Sequence, residues 1–428
     1  MRIGIVPCLE PNAGGVYQYS LTMLDAIFEL QKNYNEDSFV IFTDDLASEK
    51  LDKFRNAGWD IVPLYKTTPL RSLIRNQIKD TVFEDLAVHF LNTLKQRSEK
   101  LKPPQDKSSK SIDQPQREWF LSHHVKLMIY PTSNMLSFNT MIPYIFTIHD
   151  LQHRIQPEFP EVSADGQQEE REYIISNGVK NALVVLVDSL VGKEDVLKFY
   201  KQTGITPSQI KILPFLYASY IKNVSNIETK KIIKLLQLPD EYLFYPAQFW
   251  PHKNHLRLIK ALGILKSKYN LDIPTVFCGS HTGALRKKTF EEVMSQVGIL
   301  NLQKNVFYIG YVDDKYISAL YKNAKALIMP TFFGPTNIPI LEAWSLGCPV
   351  ITSDLRGIRD QAGSAALLVN PRSEESIALG IKKIWQDQKV RQKLVKLGKY
   401  RLSLYKKGDY NKRLRTIIED AKLKIKRI

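Results

Sequence analysis

The sequence predicts an α/β fold of two Rossmann-like domains that face a central cleft. Short apolar runs alternate with helical patterns along most of the 428 residues, which is typical of parallel sheets covered by helices on both faces. The alternation is interrupted between Pro214 and Asp240. We therefore place the first domain at residues 1–217 and the second at residues 218–405. A chain of this length also suits two or three domains.

The apolar runs are predicted to be strands because turn residues bound them on both sides. In the first domain they are Ile3–Pro7, Phe39–Thr43, Ile61–Leu64, Leu127–Tyr130, Tyr144–Ile148 and Leu183–Val187. In the second domain they are Tyr242–Tyr245, Thr275–Cys278, Val306–Ile309, Ala326–Met329, Val350–Ile351 and Ala366–Val369. Helical spacing predicts helices between them, among them Val16–Leu30, Leu256–Lys268 and Lys315–Lys322.

Three segments depart from this alternation. Lys100–Glu118 is polar and contains prolines, so we expect a mobile surface loop there. Leu70–Leu94 has the spacing of an amphipathic helix, whose basic residues we interpret as a solvated face rather than a membrane contact. Residues 406–428 predict a C-terminal helix that packs back on the body. Its apolar face consists of Tyr410, Leu414, Ile417, Ile418, Ala421 and Ile425.

The charge balance restricts the classes of partner. The formal net charge is +16 and the isoelectric point is about 9.4. Such a charge favours acidic partners, namely nucleic acid, anionic lipid or phosphorylated substrates. No platform of interleaved basic and aromatic residues is evident, so we expect no nucleic acid.

Cysteine usage and the amino terminus indicate a compartment. Cys8, Cys278 and Cys348 are far apart, which is typical of reduced thiols in a cytosolic protein rather than of a disulfide framework. The short apolar run after Met1 is not the core of a signal peptide, and no run approaches the length of a membrane span. We therefore expect a cytoplasmic protein.

Candidate site residues of the first domain follow two of its predicted strands, where open parallel sheets bind ligands. Gly14 and Gly15 open a helix, so a ligand can approach the backbone and the helix start favours an anion. A tight turn is the alternative for this pair. His149 and Asp150 follow the strand that begins at Tyr144. The imidazole suits a bond to a substrate hydroxyl or a proton transfer, although a structural polar residue would look the same.

In the second domain, Lys253 follows the strand Tyr242–Tyr245 and precedes a helix, in the stretch YPAQFWPHKNH. A cation beside a helix start attracts a phosphate together with the helix dipole. His252 and His255 are three residues apart, but no third ligand is evident, so we expect no metal.

The loop GPTNIP, at residues 334–339, lies at the mouth of another predicted helix. Gly334 and Asn337 allow the loop to turn backbone N–H groups toward a phosphate, and Thr336 adds a side-chain donor. Glu342 lies just over one turn inside the helix and is a hydroxyl acceptor of the kind that binds ribose. A solvated acid on a surface helix is the alternative, but its neighbours are apolar.

With these motifs the chain resembles the family 4 glycosyltransferases of GT-B architecture along nearly its whole length. The resemblance rests on Gly14–Gly15 and on the stretches HDLQHRIQPEFP, YPAQFWPHKNHLRLIKAL, PTFFGPTNIPILEAWSLGCPVITSD and GSAALLVNP. It implies transfer of a sugar from a nucleotide sugar with retention of anomeric configuration and without a metal or other cofactor. It also implies that the second domain holds most of the donor.

Individual residues match the family's site. Lys253 matches its phosphate-binding lysine, and Glu342 matches its ribose-binding glutamate. His149 matches the cleft histidine that approaches the donor sugar. Asn337 and Ile338 match the loop whose backbone amides meet the phosphates.

Two positions depart from the family pattern. Gln248 stands where the family has an arginine, so one positive charge is missing. Gly334 stands where the family has the first of two glutamates, so the carboxylate aimed at the donor sugar is missing. The loop form GPTNIP is nevertheless similar to a subgroup often identified as mannosyltransferases, and this likeness favours GDP-sugars over UDP-sugars.

The sequence therefore predicts a retaining hexosyltransferase, with mannose from GDP-mannose as the first candidate and a glycan or lipid-linked acceptor in surface polysaccharide synthesis. The basic charge also predicts a peripheral position on the anionic inner face of the cell membrane. Retention through a covalent intermediate would need a carboxylate at the anomeric carbon, for which Asp150 is the candidate. The alternatives are a non-catalytic GT-B subunit that binds a nucleotide sugar or a partner enzyme, and a sugar-nucleotide epimerase of the same architecture.

Overall fold

The structure, a computed structural model, describes residues 1–34, 36–66 and 112–427. Within these ranges the chain forms two parallel β-sheets covered by helices, which confirms the predicted α/β class with two Rossmann-like domains. The predicted helix at Leu70–Leu94 and the first part of the predicted loop, Lys100–Ser111, lie outside the described residues.

The first sheet has seven parallel strands. They are β1 Arg2–Ile5, β2 Ser38–Thr43, β3 Asp60–Pro63, β4 Leu127–Tyr130, β5 Tyr144–Thr147, β6 Val184–Val187 and β7 Ile210–Ile212. Their order in the sheet is β3-β2-β1-β4-β5-β6-β7. In the paired register, Ile3 of β1 lies opposite both Phe39 and Leu127. All residues of β4, β5 and β6 are buried, because helices cover both faces of the sheet.

The second sheet has six parallel strands. They are β8 Leu243–Pro246, β9 Thr275–Cys278, β10 Val306–Tyr308, β11 Ala326–Met329, β12 Val350–Ser353 and β13 Leu367–Val369. Their order is β10-β9-β8-β11-β12-β13. Strands β8 and β11 are neighbours, so the loops after them lie side by side at the edge where ligands bind in such sheets.

Helices connect the strands. Around the first sheet they are α1 Gly15–Tyr34, α2 Asp52–Asn56, α3 Gln114–Ser122, α4 Leu136–Asn139, α5 Gln152–Ile155, α6 Pro160–Ser163, α7 Gln167–Asn181 and α8 Leu190–Tyr200. Around the second they are α9 Asn226–Leu235, α10 His255–Tyr269, α11 Ala284–Ile299, α12 Asp314–Asn323, α13 Ile338–Ser345, α14 Arg356–Ala362, α15 Glu374–Gln386 and α16 Gln388–Leu402. The last helix is α17 Lys407–Ile425. Short 3₁₀ turns occupy Pro11–Ala13, Glu49–Leu51, Ala164–Gly166, Lys201–Thr203 and Pro251–Lys253.

Each apolar run predicted as a strand forms one, with small differences in its bounds. Strand β7 was not predicted, because three residues with a lysine in the middle give too short a pattern. It pairs with the edge of β6, where Val187 lies opposite Ile212. The side chain of its Lys211 forms an ion pair with Asp420 at 2.8 Å. The strand is thus defined by its neighbours in the fold rather than by its own sequence.

The prediction of a loop through residue 118 is wrong at its end, because α3 begins at Gln114. Asp113 caps this helix by accepting a hydrogen bond from the backbone N–H of Gln116 at 3.1 Å. Pro115 occupies the first turn, where its missing N–H has no helical partner to lose. The fully buried ring of Phe120 anchors the helix in the core of the first domain.

The C-terminal helix α17 packs back on the first domain, as its apolar face predicted. The buried residues of this face are Tyr410, Leu414, Ile417, Ile418 and Ala421. They share one core with α1 and β1. Lys422 of the helix also forms an ion pair with Asp37 at 2.8 Å. The chain therefore passes between the domains twice, once before β8 and once before α17.

Candidate active site

Loops that follow strands of one sheet contact loops that follow strands of the other. The side-chain Nε2 of Gln248, after β8, donates a hydrogen bond to the carbonyl of Asn12, after β1, at 2.8 Å. The hydroxyl of Thr336, after β11, donates to the carboxylate of Asp188, after β6. The carboxyl ends of the two sheets therefore face each other, which is where a ligand would bind in each half.

The glycine pair after β1 lies against the second domain. Gly14 has a φ of +59°, a conformation that favours glycine, and Gly15 begins α1. A Cβ on Gly14 would lie 3.7 Å from Nε2 of Gln248, and a Cβ on Gly15 would lie 3.9 Å from Cδ1 of Ile338. The structure thus brings four of the predicted donor-binding residues together across the cleft.

Gln248 links the domains at the position where the family pattern has an arginine. Besides donating to Asn12, its amide accepts hydrogen bonds at Oε1 from Nε1 of Trp250 at 2.9 Å and from Nη1 of Arg286 at 3.1 Å. The neutral amide therefore stands beside a guanidinium that the sequence alone did not place in the cleft.

Lys253 ends the 3₁₀ turn Pro251–Lys253, and α10 begins two residues later. Among the residues that the structure describes, no hydrogen bond or ion pair of its ammonium group is found. Burial lowers the pKa of Lys253 to about 8, although the carboxylates of Asp150 and Glu161 oppose this effect. A desolvated cation without a close partner is unfavourable, and binding of an anion would relieve it.

The loop after β11 explains why position 334 carries no side chain. Gly334 has a φ of +135°, and a Cβ placed on it would lie 2.7 Å from both Nδ2 and Oδ1 of Asn337. Non-glycine residues rarely adopt this backbone conformation, and the side-chain amide already fills the space. A side chain at position 334 would therefore have to displace the Asn337 amide and adopt a strained backbone conformation.

The backbone of Asn337 is engaged within the second domain. Its N–H donates to Oε1 of Gln361 at 2.8 Å, and its carbonyl accepts from Nε2 of Gln361 at 2.9 Å. In this structure the Asn337 N–H is therefore not free for a phosphate, in contrast to the expectation from the sequence. Ile338 begins α13 and Pro339 follows it, so the helix start offers the N–H groups of Ile338 and Ile340 but none between them.

Thr336 contacts a carboxylate that we did not predict. Its hydroxyl donates to Oδ2 of Asp188, which is only 5% exposed and also accepts from the Ser189 hydroxyl at 3.0 Å. Burial raises the pKa of Asp188 to about 6. Asp188 directly follows β6, which the sequence predicted as a strand. Its position after a strand end was therefore the sequence signal that could have identified it as a site residue. Asp150 is therefore not the sole carboxylate at the carboxyl ends of the first sheet.

Glu342 lies on the inner face of α13 and is only 5% exposed. Its Oε2 accepts a hydrogen bond from the Tyr321 hydroxyl at 2.9 Å, and its Oε1 accepts one from the Tyr220 hydroxyl at 3.2 Å. Burial raises the pKa of Glu342 to about 7. The alternative of a solvated acid on a surface helix is excluded. Each carboxylate oxygen keeps further acceptor capacity for a ligand hydroxyl.

His149 packs between two aromatic rings. Its ring centroid lies 4.8 Å from that of Tyr19, edge to face, and 6.1 Å from that of Phe215. Its Nε2 is buried and has no hydrogen-bond partner within the described part of the chain. Burial lowers the pKa of His149, with the charge of Asp150 opposing it, so the imidazole is neutral at pH 7. An unpartnered buried nitrogen suits a ligand hydroxyl.

Asp150 has a structural role in this arrangement. Its Oδ1 accepts a hydrogen bond from the backbone N–H of Gln152, the first residue of α5, at 3.0 Å. The same oxygen lies 3.5 Å from Nη1 of Arg171. A side-chain oxygen that binds the N–H of a helix start stabilises the helix, so Asp150 fixes the chain just after His149.

The histidines beside Lys253 make contacts of other kinds. Nδ1 of His252 lies 2.6 Å from Oε1 of Glu161 in the first domain, and His255 stacks on Phe249 with ring centroids 4.3 Å apart. In the described ranges no group of three or more His, Cys, Asp or Glu side chains is arranged to hold a metal ion.

None of the helices described is both long and apolar enough to cross a membrane.

Two facing Rossmann-like domains with their strand ends at the cleft define the GT-B class of proteins. Residues 226–401 match the family described as glycosyl transferases group 1. This stretch contains Gln248, Lys253 and the loop with Gly334.

Curated relatives of the chain include two proteins of O-antigen synthesis. O-antigen chain mannosyltransferase B of Escherichia coli is 22% identical over 280 residues, which is 65% of this chain and 70% of that protein. O-antigen chain mannosyltransferase RfbU of Salmonella typhimurium is 27% identical over 240 residues, which is 56% of this chain and 60% of that protein.

Solved structures with a similar fold align with 98% of the chain. A glycosyltransferase from Rickettsia africae has a TM-score of 0.67 at 14% identity and covers 98% of both chains. Anabaena Alr3699/HepE, solved in complex with UDP and glucose, has a TM-score of 0.67 at 15% identity and covers 98% of this chain and 99% of its own. These similarities confirm the predicted GT-B architecture.

Proposed function

We propose that the protein is a retaining glycosyltransferase that moves a hexose from a nucleotide sugar to a glycan or lipid-linked acceptor in surface polysaccharide synthesis. Mannose from GDP-mannose is the first candidate. The names of the two O-antigen mannosyltransferases and the loop form GPTNIP support this choice. No metal takes part in the proposed reaction.

The observation that carries the proposal is the ammonium group of Lys253. It lies at the strand ends of the family-matched domain and has no close partner among the described residues. Its lowered pKa reflects the unfavourable burial of this charge. A diphosphate would provide the compensating negative charge, with a charge-assisted hydrogen bond to the ammonium group.

The other residues assign the remaining parts of the donor. Glu342 would accept hydrogen bonds from the ribose hydroxyls through the acceptor capacity that its tyrosine partners leave. The start of α13 and the turn at Gly14–Gly15 would face the diphosphate. The transferred sugar would then lie toward the first domain, near Nε2 of His149, which has no hydrogen-bond partner among the described residues.

In the reaction, the acceptor hydroxyl attacks the anomeric carbon from the face that the nucleoside diphosphate leaves. The bond from the anomeric carbon to the diphosphate oxygen breaks, and that phosphate takes the acceptor proton. Lys253 stabilises the negative charge that develops on the diphosphate. The covalent route through Asp150 is less favoured, because its Oδ1 already holds the start of α5 and contacts Arg171.

An anionic lipid surface is the proposed environment of the acceptor. The stretch 388–408 contains eight lysines and arginines and no acidic residue. Tyr400 and Leu404 within it are 68% and 55% exposed. Basic and apolar side chains together bind membranes that carry anionic lipids. Cosedimentation with vesicles of phosphatidylglycerol, and none with neutral vesicles, is the expected result for a protein on the inner face of the cell membrane.

A non-catalytic subunit that binds a nucleotide sugar or a partner enzyme remains the alternative, because Gln248 and Gly334 depart from the family pattern. A thermal-shift panel with GDP-mannose, UDP-glucose, UDP-N-acetylglucosamine, GDP and UDP tests donor binding. We expect the largest stabilisation with GDP-mannose and GDP, since a ligand of the native state raises the melting temperature. Stabilisation by none of the five would contradict the proposal.

A further inference from the structure

Arg286 lies at the cleft edge of the second domain, in the first turn of α11, Ala284–Ile299. Its Nη1 donates a hydrogen bond to Oε1 of Gln248 at 3.1 Å. Its guanidinium carbon lies 4.8 Å from the ring centroid of Trp250, a distance at which a cation is attracted to the aromatic face. These contacts hold the guanidinium against the loop that also carries Lys253.

Trp250 connects this guanidinium to the turn of Lys253. Its indole Nε1 donates to Oε1 of Gln248 at 2.9 Å, and its carbonyl accepts the Lys253 N–H at 2.9 Å. Nε2 of the Gln248 amide donates a hydrogen bond to the carbonyl of Asn12. A Cβ on Gly14 would lie 3.7 Å from the same Nε2. One side-chain amide thus separates the guanidinium from the glycine turn of the first domain.

We propose that Arg286 provides the second positive charge for the diphosphate of the donor, together with Lys253. This inference rests on the proposed function. Each phosphate of a sugar nucleotide carries a negative charge, and a guanidinium binds a phosphate through two parallel N–H···O bonds. The neutral amide of Gln248 gives no such charge, so here the cation comes from α11 instead of from the loop after β8.

The hydrogen bond from Arg286 to Gln248 and its stacking on Trp250 are compatible with this role. A phosphate oxygen near Gly14 takes the place of Gln248 Oε1 as the acceptor of the Nη1 hydrogen bond. Stacking on Trp250 keeps the guanidinium in position, so little side-chain freedom is lost on binding. The same stacking keeps the guanidinium on the loop that carries Lys253, since the Trp250 carbonyl accepts the Lys253 backbone N–H.

Calorimetric titration of the full chain tests the proposal. The ligands are the nucleoside diphosphate, GDP or UDP, that the wild type binds more tightly, and its monophosphate. We expect Arg286→Ala to weaken binding of the diphosphate by roughly tenfold to a hundredfold, the range for a lost hydrogen bond to a charged group. Binding of the monophosphate should weaken much less.

Two further variants distinguish the effect of the Arg286 charge in the cleft from a general effect of net charge and from a structural effect of the substitution. Lys287→Ala removes an exposed charge from the next position of the same helix and should bind like the wild type. The double variant Gln248→Arg, Arg286→Ala returns a guanidinium to the cleft from the neighbouring element and should recover most of the diphosphate affinity. A general effect of net charge would instead appear equally in the Lys287 variant.

Diphosphate affinity of Arg286→Ala within twofold of the wild type would overturn the proposal, whatever its melting temperature. An equal loss for monophosphate and diphosphate would also overturn it, since it would indicate a contact to the base or ribose or a collapsed loop. If the wild type itself bound neither nucleotide, the proposed function would be the part that fails.

Discussion

The side-chain amide of Asn337 occupies the space beside Gly334, with its Nδ2 and Oδ1 both 2.7 Å from the position of a Cβ on that glycine. The absent glutamate is therefore not a simple deletion from the family pattern. In this loop the Asn337 amide fills the space beside Gly334, and Gln361 holds the Asn337 backbone on both sides. Restoring the family residue alone would disturb this packing.

We expect Gly334→Ala to destabilise the protein by about 1–3 kcal/mol, because the residue has a φ of +135° and its Cβ would overlap the Asn337 amide. Chemical denaturation of the variant and the wild type measures the difference. Gly408→Ala is the matched control, since a Cβ there meets no atom within 4 Å and the residue lies in the first turn of α17. Equal stability of Gly334→Ala and the wild type would contradict this description of the loop.

Lys253→Met should make the protein more stable at pH 7 and weaken donor binding by about 1.5–3 kcal/mol. The folded-state pKa of about 8 lies below the unfolded value of 10.5, so the unfolded chain binds more protons between these values. The stability of the wild type therefore rises with pH across this window, and the advantage of the variant shrinks there. Denaturation at pH 7 and pH 10 and calorimetry with the donor measure both effects.

Lys260→Met is the control for this prediction, because Lys260 is an exposed lysine on α10. It should change neither the pH dependence of stability nor the donor affinity. Unchanged donor affinity of Lys253→Met would remove Lys253 from the site, and a variant less stable than the wild type at pH 7 would show that the buried charge has a partner.

Glu342→Gln should lower the affinity for nucleotide sugar and for free nucleotide alike, because the proposed contact is to the ribose. With a folded-state pKa of about 7, raised from 4.5 by burial, the wild-type carboxylate gains a proton as the pH falls from 8 to 6. Protonation of Lys253, with a pKa of about 8, raises the affinity of both proteins as the pH falls. We therefore expect the affinity of the wild type to decrease relative to that of the variant over that range. Calorimetry of the wild type and of Glu342→Gln at both pH values measures this difference, and the variant of an exposed residue, Glu292→Gln, is the control.

The raised pKa of Glu342 also makes the free energy of unfolding depend on pH. Between pH 4.5 and about 7 the native protein binds more protons at Glu342 than the unfolded chain does, so this residue makes stability fall as the pH rises. Glu342→Gln should lack that contribution to the pH dependence of stability.

If Glu342→Gln changed only the discrimination between sugars and not the affinity for free nucleotide, Glu342 would have to contact the hexose instead of the ribose.

His149→Phe should reduce transfer much more than nucleotide affinity. The phenyl ring keeps the packing between Tyr19 and Phe215 but removes the nitrogen that has no partner among the described residues. An interaction made mostly in the transition state lowers turnover and leaves ground-state binding nearly intact. Turnover, affinity and melting temperature are measured on one preparation. A variant with full turnover per folded molecule would end the catalytic assignment, and a lowered melting temperature alone would indicate a packing role.

The strands could be predicted from the sequence because buried parallel strands are continuous apolar runs. Strand β4 matches its prediction at both ends, whereas the short β7 has no such run. The start of α3 was predictable in principle from Asp113 and Pro115, but the polar composition around them dominated the interpretation. His149 and Lys253 follow β5 and β8 as the sequence predicted, and their assignment to the donor site stays a prediction.

The partners of these residues could not be predicted, because they come from distant parts of the chain. Glu342 is bonded by Tyr220, 122 positions away, and Gln248 by Arg286, 38 positions away. Sequence patterns report the periodicity of single elements and contain no signal for such tertiary contacts. The positive charge of Arg286 beside Gln248 could therefore be identified only from the structure.

The central claim, sugar transfer, is tested most directly by one measurement. Purified full-length protein is incubated with labelled GDP-mannose, UDP-glucose or UDP-N-acetylglucosamine and with membranes that contain lipid-linked glycans. Label in the lipid and glycan fraction is compared with the nucleoside diphosphate released. We predict equal amounts of both products from one donor, GDP-mannose in the first place, and almost none with Lys253→Met. A wild type that binds a donor yet transfers label from none of the three would contradict the account and favour a non-catalytic subunit.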